Sequence, residues 1–374
     1  MRKLLALLLL VACLLAGANS FAAGTIKIGV LGPMSGPLAN EGQQMENVVK
    51  LLARDLNAKG GLLGEKVEIV VADDGGTPEA ATAAAQKLID QKVVAVIGSY
   101  PSPVTEAVQD LFGKARILQI SNASTAPLLT EKGIRTFLRT CPRHDDQARA
   151  AVTNMAELNF SKVAILHDGS LYSKGLADKT KAVLMDRNMA VTFEGSLVPG
   201  QQDYTSVLTQ IRNTHPDVIF FTGYYPEAAA ILKQRKAMGW DIPVIGGDAA
   251  YNPDLVNAVG KRAAAGFKFL SLPRPENLPS PEAKNFRAAY KKNYRQRVSS
   301  IYAMLAGDAF KVITEAIART QSTDSDELAD YLRSKLEKFY GLTGLVTFDQ
   351  KGDRESLVFV LYKLDDKGKP VLQF

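Results

Sequence analysis

The chain has 374 residues, 46% hydrophobic and 22% charged, a composition that excludes disordered, collagenous and coiled-coil proteins. One hydrophobic core seldom organises so long a chain, so two domains are expected. The net charge of +6 is spread along the sequence. Its densest basic group, Lys291, Lys292, Arg295 and Arg297 with Tyr290 and Tyr294 between them, reads as a solvated helix face, and no nucleic-acid partner is expected.

Residues 1–22 read as a signal peptide. Arg2 and Lys3 precede an apolar run from Leu4 to about Ala16, and Ser20-Phe21-Ala22 supplies a cleavage pattern. The run is too short for a comfortable membrane span, so an exported, periplasmic protein with no other anchor is expected. Leu10-Val11-Ala12-Cys13 resembles a lipoprotein box that would make Cys13 the acylated N-terminus. The apolar run continues past Cys13, which favours cleavage near Ala22. Either way Cys141 is the one cysteine of the folded part, and no internal disulfide is expected.

From Thr25 short β-branched runs alternate with amphipathic stretches. Ile26–Leu31 reads as a strand, and the helix after it sets Met45, Val48, Val49, Leu52 and Leu56 on one face. Gly60, Gly61 and Gly64 end that helix and turn the chain into Val67–Val71. Helix 78–91, strand 93–97, helix 102–114 and strand 117–120 repeat the scheme, which implies a parallel sheet covered on both faces. After Arg139-Thr-Cys-Pro-Arg143 it begins again: helix 146–158, strand 162–166, helix 172–187, strand 191–195, helix 204–213, strand 217–221, a helix ending near Met238 and strand Val244–Ile245. Pro273, Pro275 and Pro279 mark 272–280 as a linker. Two or three helices over 283–338 and short strands at 345–348 and 357–362 follow.

Enzyme motifs are missing. Gly29, Gly32 and Gly36 do not form G-x-G-x-x-G, and there is neither a phosphate-binding P-loop nor a G-x-S-x-G elbow. His144, His167 and His215 lack metal-ligand spacing, and His167 reads as a packing or capping residue. No cofactor and no metal are expected, and the protein is not read as an enzyme.

Polar residues gather instead just after strand ends: Ser99 to Ser102, Ser121 to Thr125, Asp168 to Tyr172, Tyr224 with Tyr225, and Asp248. In two parallel α/β lobes these ends can face one another across a cleft. Such a set offers hydroxyls and helix N-terminal amides to an anion, a carboxylate to a cation, and aromatic walls. A zwitterion suits it.

The order and spacing of several short motifs carry a resemblance. They are Ile26-Lys-Ile with Met34-Ser-Gly-Pro37, Asp55-Leu-Asn-Ala-Lys-Gly-Gly61, Val96-Ile-Gly98, Ala126-Pro127 with Leu138-Arg-Thr140, His167-Asp168 with Tyr172 and Gly175-Leu-Ala177, Gly223-Tyr224 with Pro226-Glu227, and Phe348-Asp349 with Lys351-Gly-Asp353. Over nearly the whole mature chain the sequence resembles the periplasmic branched-chain amino acid binding proteins of ABC transporters. The resemblance implies an α/β protein of two Rossmann-like lobes with parallel sheets joined by three crossovers, the type I periplasmic binding protein or Venus-flytrap fold. It implies a first lobe of 24–141 plus 273–347 and a second of 142–272 plus 348–374. The expected partners are an L-amino acid, branched-chain or otherwise hydrophobic, and an ABC permease of the inner membrane, served by a monomer; the alternatives are a different small carboxylate or amide on the same scaffold, or a sensory ligand-binding module.

By the same resemblance the Ser102 hydroxyl, the backbone at Ala123 and Thr125 and the Thr125 hydroxyl would bind the α-carboxylate, while Asn122 and Ser124 shape the turn. Asp248 would take the α-ammonium, Tyr172 and Tyr224 would touch the ligand from the second lobe, and Tyr100 with Tyr302 would line the side-chain pocket. Three positions depart from the pattern. Glu41 stands where relatives carry an aromatic, which opens the pocket to a polar or basic side chain. Asp248 is one methylene shorter than the usual glutamate, and Gly76 and Pro101 replace a cysteine pair found in some relatives.

Overall fold

Strands buried on both faces of a parallel sheet read as continuous apolar runs, and Val218-Ile-Phe-Phe221 is such a run, buried throughout. The computed structural model describes residues 24–355 and 357–373; the leader at 1–22 and Cys13 lie outside the described residues. The first sheet holds β1 (Thr25–Gly32), β2 (Lys66–Asp73), β3 (Ala95–Ile97), β4 (Leu118–Ser121) and β5 (Phe137–Arg139) in the order β2-β1-β3-β4-β5. Every pairing in it is parallel. Its crossover helices are α1 (Ala39–Asn57), α2 (Pro78–Asp90), α3 (Ser102–Lys114) and the single turn α4 (Leu128–Glu131). The face of α1 read from the sequence, Met45, Val48 and Val49, is fully buried, with Leu52 and Leu56 packed beside it.

The second sheet repeats the order. Its strands β6 (Lys162–His167), β7 (Ala190–Ser196), β8 (Val218–Phe221), β9 (Val244–Gly246) and β10 (Lys268–Ser271) run β7-β6-β8-β9-β10. Helices α5 (His144–Glu157), α6 (Leu171–Asp186), α7 (Thr205–Asn213), α8 (Tyr225–Ala237), α9 (Pro253–Val259) and α10 (Lys261–Ala264) accompany it. The chain then returns to the first lobe through α11 (Pro281–Tyr294), α12 (Ile301–Thr320) and α13 (Ser325–Ser334), of which α12 packs along α1. A small hairpin of β11 (Phe339–Gly341) and β12 (Gly344–Val346) precedes the last strands, β13 (Val360–Leu364) and β14 (Pro370–Leu372). These two join the second sheet antiparallel to their neighbours, so that sheet is mixed rather than all parallel. The chain therefore passes between the sheets three times, at 140–143, 272–280 and 347–359.

Several short elements differ from the sequence expectation. β5, β10 and β14 were not legible, being three or four residues long and set beside charged or proline residues. The strand expected over 345–348 is instead one arm of the β11–β12 hairpin, and the one expected over 357–362 begins at Val360.

Two buried ion pairs hold the crossovers. Arg139, at the end of β5, meets Asp353 of the third crossover at 2.5 Å. Arg354 meets Asp308 of α12 at 3.0 Å, with both side chains fully buried. Asp308 also accepts from the Leu342 amide and the Thr343 hydroxyl. Arg354 donates to the carbonyls of Thr140 at 3.3 Å and Leu345 at 2.7 Å, so it joins the third crossover to the first. Burial raises the Asp308 pKa and the Arg354 charge opposes that rise.

Removing one partner of such a pair strands the other charge, at a cost of about 3–5 kcal/mol. Arg354→Met is expected to lower unfolding free energy by roughly that amount in urea denaturation. A loss below about 1 kcal/mol, the scale of an exposed pair, would contradict this role for the crossover pair.

Candidate ligand-binding cleft

In an open parallel sheet a crevice forms where the strand order reverses, because neighbouring loops leave in opposite directions. The first lobe reverses between β1 and β3, and the second between β6 and β8. The polar strand ends read from the sequence lie at or beside these two points. Residues 98–102 follow β3 and 122–127 follow β4; on the other side 168–172 follow β6, 222–225 follow β8 and 247–250 follow β9.

The two loops of the first lobe are laced by hydroxyls. Ser121 Oγ and Ser124 Oγ both donate to the Ser99 carbonyl at 3.1 Å, and Ser124 Oγ lies 2.8 Å from Thr105 Oγ1. Asn122 Nδ2 donates to the Tyr302 carbonyl at 2.9 Å, which ties the loop to α12. Gly98 makes this approach possible: its φ is +123°, and a Cβ there would lie 1.9 Å from the Leu31 carbonyl oxygen. Ser99 Oγ in turn donates to the buried Asp74 carboxylate at 2.5 Å, and the Gly76 amide donates to the other oxygen at 2.8 Å.

Within this frame the amides of Ser124 and Ala126 bond the Ser121 and Ser102 hydroxyls. The amides of Ala123 and Thr125 donate to no atom among the described residues, and the buried Thr125 hydroxyl likewise has no partner. Ser102 stands at the first turn of α3, where backbone N–H groups favour an anion.

Asp248 faces this loop from the second lobe. It begins a 3-10 turn after β9, and Gly247 before it leaves room, since a Cβ there would lie 2.7 Å from the Tyr172 hydroxyl. Its carboxylate accepts from the Tyr172 hydroxyl at 2.6 Å and from the Tyr302 hydroxyl of the first lobe. Burial is the main force on this acid and raises its pKa; the hydrogen bonds from Tyr172 and Tyr302 oppose the rise. Tyr100, Ser102, Ala123, Tyr172, Tyr224, Asp248, Ala249 and Tyr302 line one narrow cavity. Tyr172 and Tyr224 pack with ring centroids 5.3 Å apart, and Tyr100 meets Tyr302 edge to face at 5.5 Å.

Seven of the nine site residues expected from the sequence line this cavity; Thr125, buried in the same loop as Ala123, does not line it. The ninth, Glu41, sits beside it, where an adjoining chamber also reaches Tyr100, Asp248 and Tyr302. At the mouth, Asn252 of the second lobe donates to Glu41 at 2.5 Å, and Asn40 donates to Asp254 at 2.9 Å. The sequence reading missed Gln147, whose Oε1 accepts from the Asp248 amide at 3.2 Å, and the chamber residues Tyr251, Asn252, Arg274 and Ser300. Gln147 reaches the site from α5 only through tertiary packing; Tyr251 and Asn252 had a local signal, their position just after Asp248. Cys141 is buried and free, its thiol pushed up to about 12 by burial. His144 packs under Gly175 and is pushed down to about 4, also by burial. Among the described residues no cluster of His, Cys, Asp or Glu is arranged to hold a metal ion.

The sequence profile of a periplasmic binding protein family matches residues 25–369. The chain belongs to that family. The family is one of solute-binding proteins, and it binds rather than catalyses. A Leu/Ile/Val-binding protein of Rhizobium johnstonii is 32% identical over 340 residues, covering 90% of this chain and 91% of the relative. The crystal structure of a leucine binding protein from Thermotoga maritima superposes with a TM-score of 0.86 at 29% identity, covering 93% of this chain and 98% of the other. A branched-chain amino acid transporter substrate binding protein from Streptococcus pneumoniae, solved in complex with isoleucine, gives 0.82 at 29% identity, covering 94% and 100%. Two α/β lobes with a cleft between them are the architecture these share.

Asp74 offers a pH test of the loop frame. Burial raises its carboxyl from an ordinary 3.8 to about 6, so the folded protein keeps a proton that the unfolded chain has already released. This group therefore favours folding fully below about pH 4, and that contribution, roughly 3 kcal/mol, disappears as pH rises through about 6. Asp74→Asn should lose less stability than the parent between those limits in urea melts. Parallel pH profiles for the two proteins would contradict the assignment.

Proposed function

We propose that the cleft binds the head group of an L-α-amino acid and that the protein is a periplasmic receptor delivering that solute, as a monomer, to an ABC importer. The observation that carries this reading is the pairing of uncommitted donors with a buried acid across one cavity. The Ala123 and Thr125 amides and the Thr125 hydroxyl have no partners among the described residues, and Asp248 lines from the opposite lobe the cavity that Ala123 lines. The α-carboxylate lies against that loop, the Ser102 hydroxyl and the first turn of α3. The α-ammonium lies at Asp248, flanked by Tyr172 and Tyr224, whose rings form the wall of the second lobe.

Each hydrogen bond to a charged group contributes about 1.5–3 kcal/mol net. Four or five of them reach the roughly −8 kcal/mol of a micromolar complex after ordering costs. A ligand that touches both lobes favours the closed arrangement by its differential affinity for it, and that arrangement is the form a permease can recognise. Relatives named for leucine, isoleucine and valine make those amino acids the reference ligands. Export rests on the leader at 1–22 and on the family, and the sequence motifs favour cleavage near Ala22 over acylation of Cys13.

A thermal-shift screen of the twenty amino acids is expected to find at least one that raises the melting temperature, because a ligand of the native state stabilises it. In Asp248→Asn that amino acid should bind at least about thirtyfold more weakly by calorimetry, with the fold retained. An unchanged affinity would remove the ammonium assignment, and a screen with no hit would sink the amino-acid reading. Mass spectrometry of protein exported from a Gram-negative host should find a mature N-terminus near Ala23; a lipid-modified Cys13 would contradict it.

A further inference from the structure

Beside the head-group cavity, and bordered by the same Tyr100, Asp248 and Tyr302, lies a second, narrow chamber. The side chain of an amino acid held as proposed above would enter it, so the role of this chamber rests on that reading. One wall is aromatic, with Tyr251 and Phe269 stacked 4.1 Å apart. Apart from Pro253 and Ile301 the remainder carries polar groups, and it includes the carboxylates of Glu41 and Asp248 and the Arg274 guanidinium.

Such a lining does not suit a chamber for methyl groups, because buried charges that meet only hydrocarbon lose their hydration without compensation. Glu41, 4% exposed, receives one donor on each carboxylate oxygen, Asn252 Nδ2 at 2.5 Å and the Ser300 hydroxyl. Each oxygen keeps a free acceptor site. Arg274, 8% exposed, lies over the Tyr251 ring at 5.2 Å and donates its Nε to Glu276 at 2.8 Å. Its two terminal nitrogens have no acceptor among the described residues. The chamber therefore presents the free acceptor sites of Glu41 beside the Arg274 guanidinium, which is paired with Glu276 and also borders an open groove with Arg287 and Arg297.

Ligand classes separate on that pattern. A cationic side chain meets Arg274, an anionic one meets Glu41, and an aliphatic one leaves both buried groups unanswered. A neutral group that donates on one side and accepts on the other answers both. We propose that the second chamber selects amino acids whose side chain ends in a carboxamide or ureido group, its NH2 donating to Glu41 and its carbonyl accepting from Arg274. Tyr251 and Phe269 flank the planar group.

The test is calorimetric titration of the full-length mature protein with L-glutamine, L-citrulline, L-leucine, L-methionine, L-lysine and L-glutamate. Methionine matches glutamine in length without its hydrogen bonds. Glutamine or citrulline is expected to bind at least about tenfold more tightly than leucine and methionine, the effect of one to two satisfied hydrogen bonds. Lysine and glutamate are expected to be weaker again. In Arg274→Met the ratio of glutamine to leucine affinity should fall below about threefold, since one of the two bonds is gone. Leucine or methionine binding as tightly as glutamine would overturn the chamber assignment and leave the head-group reading intact. So would tightest binding of lysine or glutamate, or an undiminished glutamine preference in the variant. No binding by any of the six would overturn the chamber assignment, and with no hit among the twenty amino acids it would overturn the head-group reading as well.

Discussion

The guanidinium of Arg139 is the constraint on which the cleft depends. Fully buried, it donates to the carbonyls of Ser124 and Ala126, each at 2.9 Å, to the Thr130 hydroxyl at 2.6 Å and to Asp353 at 2.5 Å. A trans peptide sets its C=O and N–H on opposite sides, so turning the Ser124 carbonyl toward Arg139 turns the Thr125 amide away from it. The Ala126 carbonyl can be used in the same way without consequence for the amides, because Pro127 has no N–H to redirect. One cation thus turns the Thr125 amide away from itself and fastens that loop to the crossover carrying Asp353. Preorganisation of this kind is what lets a few hydrogen bonds hold a small charged ligand.

Closure also relies on buried charged groups that serve two lobes at once. Asp248 is bonded by Tyr172 of its own lobe and Tyr302 of the other, and Glu41 by Ser300 of its own lobe and Asn252 of the other. Each buried acid therefore draws the lobes together while keeping acceptor sites for a ligand. Burial pushes both carboxyls up in pKa, and an ammonium or an amide NH2 is the kind of partner that offsets that cost. The family accounts for the fold and the cleft; the Glu41 and Arg274 of the second chamber are this chain's own.

Much of this was legible in the sequence because the signals were local. The long helices declared themselves by spacing, as with Met45, Val48 and Val49 on α1, and the buried strands by uninterrupted apolar runs. Ser102, Ala123, Thr125, Tyr172, Tyr224 and Asp248 were legible as residues immediately following strands, which is where a parallel sheet opens a crevice. The resemblance to known binding proteins supplied their roles; spacing alone could not have separated a ligand loop from a capping loop. Tyr100 and Tyr302, distant from one another in the chain, came only from that resemblance. What stayed hidden is what tertiary packing brings in. Gln147 arrives from α5 and Arg274 from the second crossover, neither adjacent in sequence to anything it serves. Short strands such as β5 and β10 were missed because three or four residues carry too little periodicity to stand out from a turn.

Two lobes that clamp the two charges of one amino acid head group are tested most directly on the ligand. The unmodified protein is titrated with L-leucine and L-glutamine, with the acid of each that lacks the α-amino group, and with the α-amide of each. Loss of either charge is expected to weaken binding of the better ligand by at least about thirtyfold, the effect of losing two charge-assisted hydrogen bonds. A des-amino acid that binds within about threefold of its parent would show that Asp248 holds no ammonium, and would contradict the account.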